Sequence, residues 1–280
     1  VYPEDNPEEI WLQAAFYASE CISEIEGRLT TRTDKGFNTD YQQLELSVTP
    51  SIKEPANPYQ DILLEIVQNN MTQSSHHINR PLRIDGDRVV YAHHPDLIFP
   101  AGNEYRRFET VRSDYPGMHV DSITRDGRQT MVWLTPDEER ADKEYVFDRT
   151  QHGRYKIDEY NSTDPNLSAD YLVTRFTLDI PEQPGMEIFV DGEFTRSNDS
   201  AFGRMVYDRN RGAYIADIPL KQGSYNYRYV VRTENGAVDA SPIEGDKYET
   251  GNEYLVLMYI RRPGWRADRL TGWKLIDGPN

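Results

Sequence analysis

Histidines, carboxylates, tyrosines and an arginine–tryptophan cluster are the side chains whose spacing could do chemistry in this chain. The histidines include two adjacent pairs, His76–His77 and His93–His94, and neutral imidazole is a common metal ligand. Neighbouring side chains in a strand point to opposite faces, so an adjacent pair does not chelate from regular β structure. No His-x-His, no HExxH and no acid at fixed spacing accompanies them, so they read as loop histidines and no metal site is expected. The 47 carboxylates are numerous enough for a pair at glycosidase separation to arise by chance, and spacing singles out none of them. A Gly-x-Ser-x-Gly elbow, a phosphate loop and a dinucleotide fingerprint are all missing. No catalytic residue and no cofactor is therefore expected, and the chain reads as a non-enzyme.

Two groups of residues remain. Tyr225, Tyr227 and Tyr229 alternate with Ser224, Asn226 and Arg228. With the tyrosine face turned inward, each ring stabilises the fold by about 1.5–3 kcal/mol, and no ring is left to stack on a sugar. The other group is the C-terminal run "RRPGWRADRLTGWKLIDGPN", which sets Arg261, Arg262, Arg266 and Arg269 beside Trp265 and Trp273. Arginine and tryptophan are enriched at protein interfaces, which makes these six residues a candidate partner interface. The alternative is a tail folded back on its own sandwich, with tryptophans as plugs and arginines paired to local acids.

The elements that position these groups are strands. "RYKID", "YLVTRFTLDI", "MEIFVDGEF", "AYIADIPL", "SYNYRYVV" and "EYLVLMYI" alternate with period two and are rich in β-branched and aromatic residues. Turn signals punctuate them at the Asp-Gly pairs 85–86, 126–127 and 191–192, and at "RNRG", "KQG" and "ENG". A single helical start, Thr135 with Pro136 and Glu138, predicts a turn or two of helix. The chain is all-β by pattern.

Composition narrows the function classes. A formal charge of −16 over 280 residues repels phosphate backbones and anionic lipid, so no nucleic acid is expected as a partner. The apolar run "YLVLMYI", residues 254–260, is far shorter than the roughly 20 residues of a membrane-spanning helix. Cys21 is the only cysteine, which excludes an internal disulfide, and its apolar neighbours suggest an inert core position.

Five segments are expected. Residues 1–19 read as a remnant β-hairpin of a missing N-terminal domain, and 20–160 as a middle β-sandwich. The turn-rich stretch "NSTDPNLSAD", residues 161–170, reads as a linker to a second sandwich over 168–265, with a tail over 266–280.

"GMEIFVDGEFTRSND" and "KQGSYNYRYVVRTENG" resemble the immunoglobulin-like, early-set modules that hold starch and glycogen. After Gly192-Glu193-Phe194 the chain continues Thr195-Arg196-Ser197-Asn198, with no tryptophan to serve as a sugar platform. Glycan binding to starch, glycogen or cell wall is accordingly the alternative reading.

Several ordered blocks carry a more specific resemblance. "ADYLVTRFTL", "MEIFVDGEF", "MVYDRNRGAYIADIPLKQGSYNYRYVV", "YETGNEYLVLMYIRRPGWRADRLTGW" and, earlier, "TRTDKGFNTDYQQLELSV" are similar to the DUF5103 family, the type IX secretion system plug proteins of Bacteroidetes. The resemblance implies two consecutive immunoglobulin-like β-sandwich domains in a periplasmic protein at the inner face of the outer membrane. It further implies a noncatalytic role, sealing the periplasmic opening of the outer-membrane β-barrel translocon, which would be its partner.

Overall fold

The computed structural model describes residues 16–51, 55, 57–71, 75–127, 129–196, 201–232, 238–262 and 264–278. The period-two segments form strands, as their alternation dictates. In chain order these are β1 (Glu24–Thr30), β2 (Arg32–Thr33), β3 (Gly36–Phe37), β4 (Tyr41–Thr49), β5 (Ile62–Gln68), β6 (His76–Ile78), β7 (Arg83–Asp85), β8 (Arg88–Tyr91) and β9 (Ile98–Pro100). There follow β10 (Arg106–Glu109), β11 (Val120–Asp126), β12 (Gln129–Leu134), β13 (Tyr155–Ile157), β14 (Tyr171–Leu178), β15 (Glu187–Asp191), β16 (Val206–Asp208), β17 (Ala213–Lys221), β18 (Gly223–Arg232) and β19 (Val238–Asp239). The last two are β20 (Glu253–Ile260) and β21 (Arg269–Asp277). The Asp-Gly pairs at 85–86 and 126–127 close the β7–β8 and β11–β12 hairpins, with Gly86 and Gly127 at φ of +66° and +57° where a Cβ is disfavoured.

The strands build two sandwiches, and the chain enters the first of them twice. One sheet of the first sandwich runs β1-β4-β8-β7 with β9 also on β4, and the other runs β21-β20-β5-β6. Leu44, Leu46 and Val48 of β4 meet Ile62, Leu64 and Ile66 of β5 and Tyr254, Val256, Met258 and Ile260 of β20 in a single core. The second sandwich stacks β11-β12-β14-β17-β16 on a sheet built around β18. The long strand β18 lies between β10 and β13 in its first half and pairs with β15 and β19 in its second. Phe108, Phe176 and Leu178 pack there with Tyr225, Tyr227 and Tyr229. The tyrosine face points inward, as the alternation implies, and the three residues are 1%, 0% and 0% exposed.

The segment boundaries expected from the sequence are corrected by strand pairing. Residues 161–170 do not join two sandwiches, because β13 before them and β14 after them both belong to the second sandwich, and Asp170 exchanges hydrogen bonds with Gln222. Strands β10 to β13, placed with the first domain by the linker reading, pair with β18 and β14 instead. Strand β20 leaves the second unit altogether and pairs with β5, Tyr254 opposite Gln68 and Ile260 opposite Ile62. Much of the tail over 266–280 is strand β21. The second sandwich is thus inserted between β9 and β20 of the first. The remnant hairpin over 1–19 lies mostly outside the described residues.

Buried polar groups pin the two chain crossings. Asn252 donates to Gln42 Oε1 at 3.0 Å and to the Ala101 carbonyl at 2.7 Å, and accepts from Asn69 Nδ2 at 2.6 Å. Gln42 in turn donates to the carbonyls of Tyr248 and Thr250, both at 2.8 Å. The Gly102 amide donates to Asp246 at 2.6 Å, Asn103 donates to the Glu244 carbonyl at 2.8 Å, and Arg154 pairs with Glu253. Gln42, Asn69 and Asn252 are at most 3% exposed. Buried amides so satisfied hold a unique geometry, since any slippage strands them without partners.

Candidate functional site

The six C-terminal candidates cluster around the β20–β21 hairpin at one end of the first sandwich. The β20 register carries Arg261 past the strand end, where its amide donates to the Asp61 carbonyl at 2.8 Å and its guanidinium grips Asp268 through two 2.7 Å bonds. Arg269 opens β21 and is paired with Glu20. Trp265 packs, half-buried, against the first core, with the guanidiniums of Arg262 and Arg269 over its ring at 5.4 and 5.0 Å. These features match the folded-back alternative: a tryptophan plug with arginines on local acids. Arg266 is exposed, and Trp273, on β21, is 54% exposed with Leu275 two residues on at 41%. The hairpin therefore presents the exposed cations Arg261, Arg266 and Lys274 and an exposed ring from a strand.

Other sequence candidates resolve differently. Phe194 is not a sugar platform: it packs into the second core, edge-on to Tyr225 at 5.2 Å and stacked on Phe176 at 6.2 Å. Trp133 sits half-buried on the outer face of β12, with the guanidiniums of Arg175 and Arg211 over its ring at 4.6 and 5.5 Å. Of the histidines, His76 and His77 lie in strand β6 rather than a loop, and His76 stacks on Phe99 at 4.2 Å. His93 holds Asp34 at 2.9 Å, and His94 accepts from the Asp96 amide at 3.2 Å. No cluster of metal-ligating side chains is present among the described residues. Cys21 is exposed rather than buried, at a φ of +51° in the segment whose neighbours Glu20, Ile22 and Ser23 donate to β21 carbonyls. That edge contact fixes the backbone and leaves the thiol outside the core.

The residues that sequence reasoning missed are a buried ionic group in the second sandwich. The expected helix at Thr135 does not form, because Asp137 instead bridges to the neighbouring strand at Leu178 and turns its carboxylate inward. Asp137 Oδ2 accepts from the hydroxyls of Tyr227 at 2.7 Å and Tyr229 at 2.8 Å, while Oδ1 lies 2.7 Å from Arg106 Nη1 and 3.3 Å from His119 Nε2. Arg106 also reaches Glu244, which holds Arg140 and accepts from the Tyr229 amide at 2.8 Å. Burial pushes the Asp137 carboxyl up, but His119 and the Arg106 guanidinium outweigh it and hold the group down at about 2. Burial and the same carboxylate push the Tyr227 and Tyr229 phenols up. One signal was available: inward-facing tyrosines need a buried acceptor for each hydroxyl.

No protein-family model matches the chain, and no curated protein matches it. Among solved structures, the crystal structure of a hypothetical protein from Parabacteroides merdae ATCC 43184 is similar, with a TM-score of 0.94 and 33% sequence identity. The match covers 99% of this chain and 70% of that one. The chain belongs to the same family as that Parabacteroides merdae protein.

Proposed function

We propose that this protein is a noncatalytic periplasmic plug or scaffold, which seals the outer-membrane β-barrel translocon of a type IX protein secretion system. The resemblance of its sequence blocks to the DUF5103 family supports the reading, as does a structural relative from a Bacteroidetes member. An immunoglobulin-like, early-set character of the second sandwich belongs to the same reading. The observation that carries it is the pinned junction: Asn252, Gln42 and Asn69 tie both chain crossings together through buried hydrogen bonds. Two sandwiches so joined form a stiff block, and a wide barrel mouth is closed by a body that does not deform under it. Docking requires shape and rim contacts, for which Arg261, Arg266 and Trp273 are exposed members of the C-terminal group.

The test is co-purification of the full-length protein with the translocon barrel from envelope fractions. Deleting residues 261–280 would remove strand β21 and unfold the sheet, so the point variants Arg266→Glu and Trp273→Ala are the informative ones. Recovery of the barrel with the wild type and its reduction with either variant supports the reading. A pull-down without the barrel opposes it.

A further inference from the structure

Strands β5, β20 and β21 carry apolar side chains on both faces of their sheet. The even-numbered residues of β20 and β5 enter the first core, so the odd-numbered ones point the other way. On that outer face Leu255 and Leu257 lie between Val67 and Glu65 of β5 and Leu275 and Trp273 of β21. Trp273 and Leu275 are 54% and 41% exposed, the usual state of a sheet face in water. Val67 and Leu257 are each 1% exposed and belong to neither core. Side chains stand upright from a sheet, so two apolar tips that dry require a layer over them.

The described chain starts at this face. Burial, and then the Glu65 carboxylate, push the Tyr17 phenol up, which sets Tyr17 beside an outward residue of β5. Glu65 also accepts from the hydroxyl of Tyr259, an outward residue of β20, at 3.1 Å. From Tyr17 the chain passes along the outer edge of β21, where Glu20, Ile22 and Ser23 donate to the Leu270 and Thr271 carbonyls. Residues ahead of Phe16 therefore have a direct path back across the sheet. They include Ile10, Trp11, Leu12, Ala14 and Ala15, whereas the other residues outside those described hold one large aliphatic or aromatic side chain, Ile52. Extended, residues 10–15 reach about 20 Å, twice the roughly 10 Å of two strand spacings that separate β21 from β5.

We propose that the outer face of β5, β20 and β21 is a docking surface for the chain's own residues 10–15, whose apolar side chains cover Leu257 and Val67. This goes beyond the plug reading and does not depend on it. The experiment is hydroxyl-radical footprinting of the full chain by mass spectrometry, which reads side-chain exposure, on the wild type and on the double variant Trp11→Asp/Leu12→Asp. In the wild type, Leu257 and Val67 should stay unlabelled while Trp273 and Leu275 are labelled. In the variant, labelling of Leu257 and Val67 should rise toward that of Leu275, because a charged strap no longer seats on an apolar face. Val256 and Ile260, on the core side of the same strand, should stay protected in both. Should circular dichroism show the double variant unfolded, Leu12→Ser is read in the same way. Leu257 labelled already in the wild type, or still protected in a folded variant, would overturn the proposal. So would protection that disappears on dilution together with a dimer in size-exclusion chromatography, since a second copy would then be the cover.

Discussion

Asp137 receives two tyrosine hydroxyls and a guanidinium while 6% exposed, so without it both hydroxyls would lose their acceptor and Arg106 would keep only Glu244 and the Glu138 carbonyl. Asp137→Asn leaves Arg106 with a weaker partner in a buried site, and chemical denaturation should register a loss of about 3–5 kcal/mol. The pH dependence has a definite sign. A carboxyl held at about 2 when folded, against 3.8 ordinarily, stabilises the fold fully above pH 3.8, and the contribution fades as pH falls through about 2. It amounts to about 2 kcal/mol, and the Asp137→Asn variant should show a correspondingly flatter stability profile over that window. At this scale the sequence is half legible. The inward turn of Tyr225, Tyr227 and Tyr229 follows from alternation, whereas their acceptor does not. Thr135-Pro136 reads as a helix start on local grounds, and only pairing with Leu178 turns Asp137 into the core.

Strand positions are legible because period two is a local property, and pairing is not because partners sit far apart in sequence. Gln68 and Tyr254 hydrogen-bond although 186 positions separate them. The near-continuous apolar run of β20 marks a central strand covered on both faces, yet nothing in it names β5 as its neighbour. Turn-rich composition over 161–170 marks a loop correctly and a domain boundary wrongly, since a loop within a sandwich and a linker between sandwiches use the same residues. Fragments separate the two plans. Residues 103–250 contain every strand of the inserted sandwich and should fold alone, giving a dispersed amide spectrum and cooperative melting. Residues 168–265 lack β10 to β13 and carry β20 without a partner, and should stay unfolded or aggregate.

At the scale of the molecule, an inserted sandwich could swing on its two crossings unless something fixes them. Asn252 does so from a position 3% exposed, with partners on Gln42, Asn69 and Ala101. Asn252→Ala should cost about 2–4 kcal/mol, and hydrogen exchange should quicken in 101–105 and 245–252 while the two cores stay protected. A rigid acidic block of this kind suits a seal, with a formal charge of −16 opposing nonspecific adhesion to anionic surfaces. The most direct measurement is outer-membrane permeability to an antibiotic too large for ordinary porins, compared in cells with and without the protein. Sealing predicts increased entry on loss of the protein, and only while the translocon barrel is present. Unchanged entry with the barrel in place would contradict it.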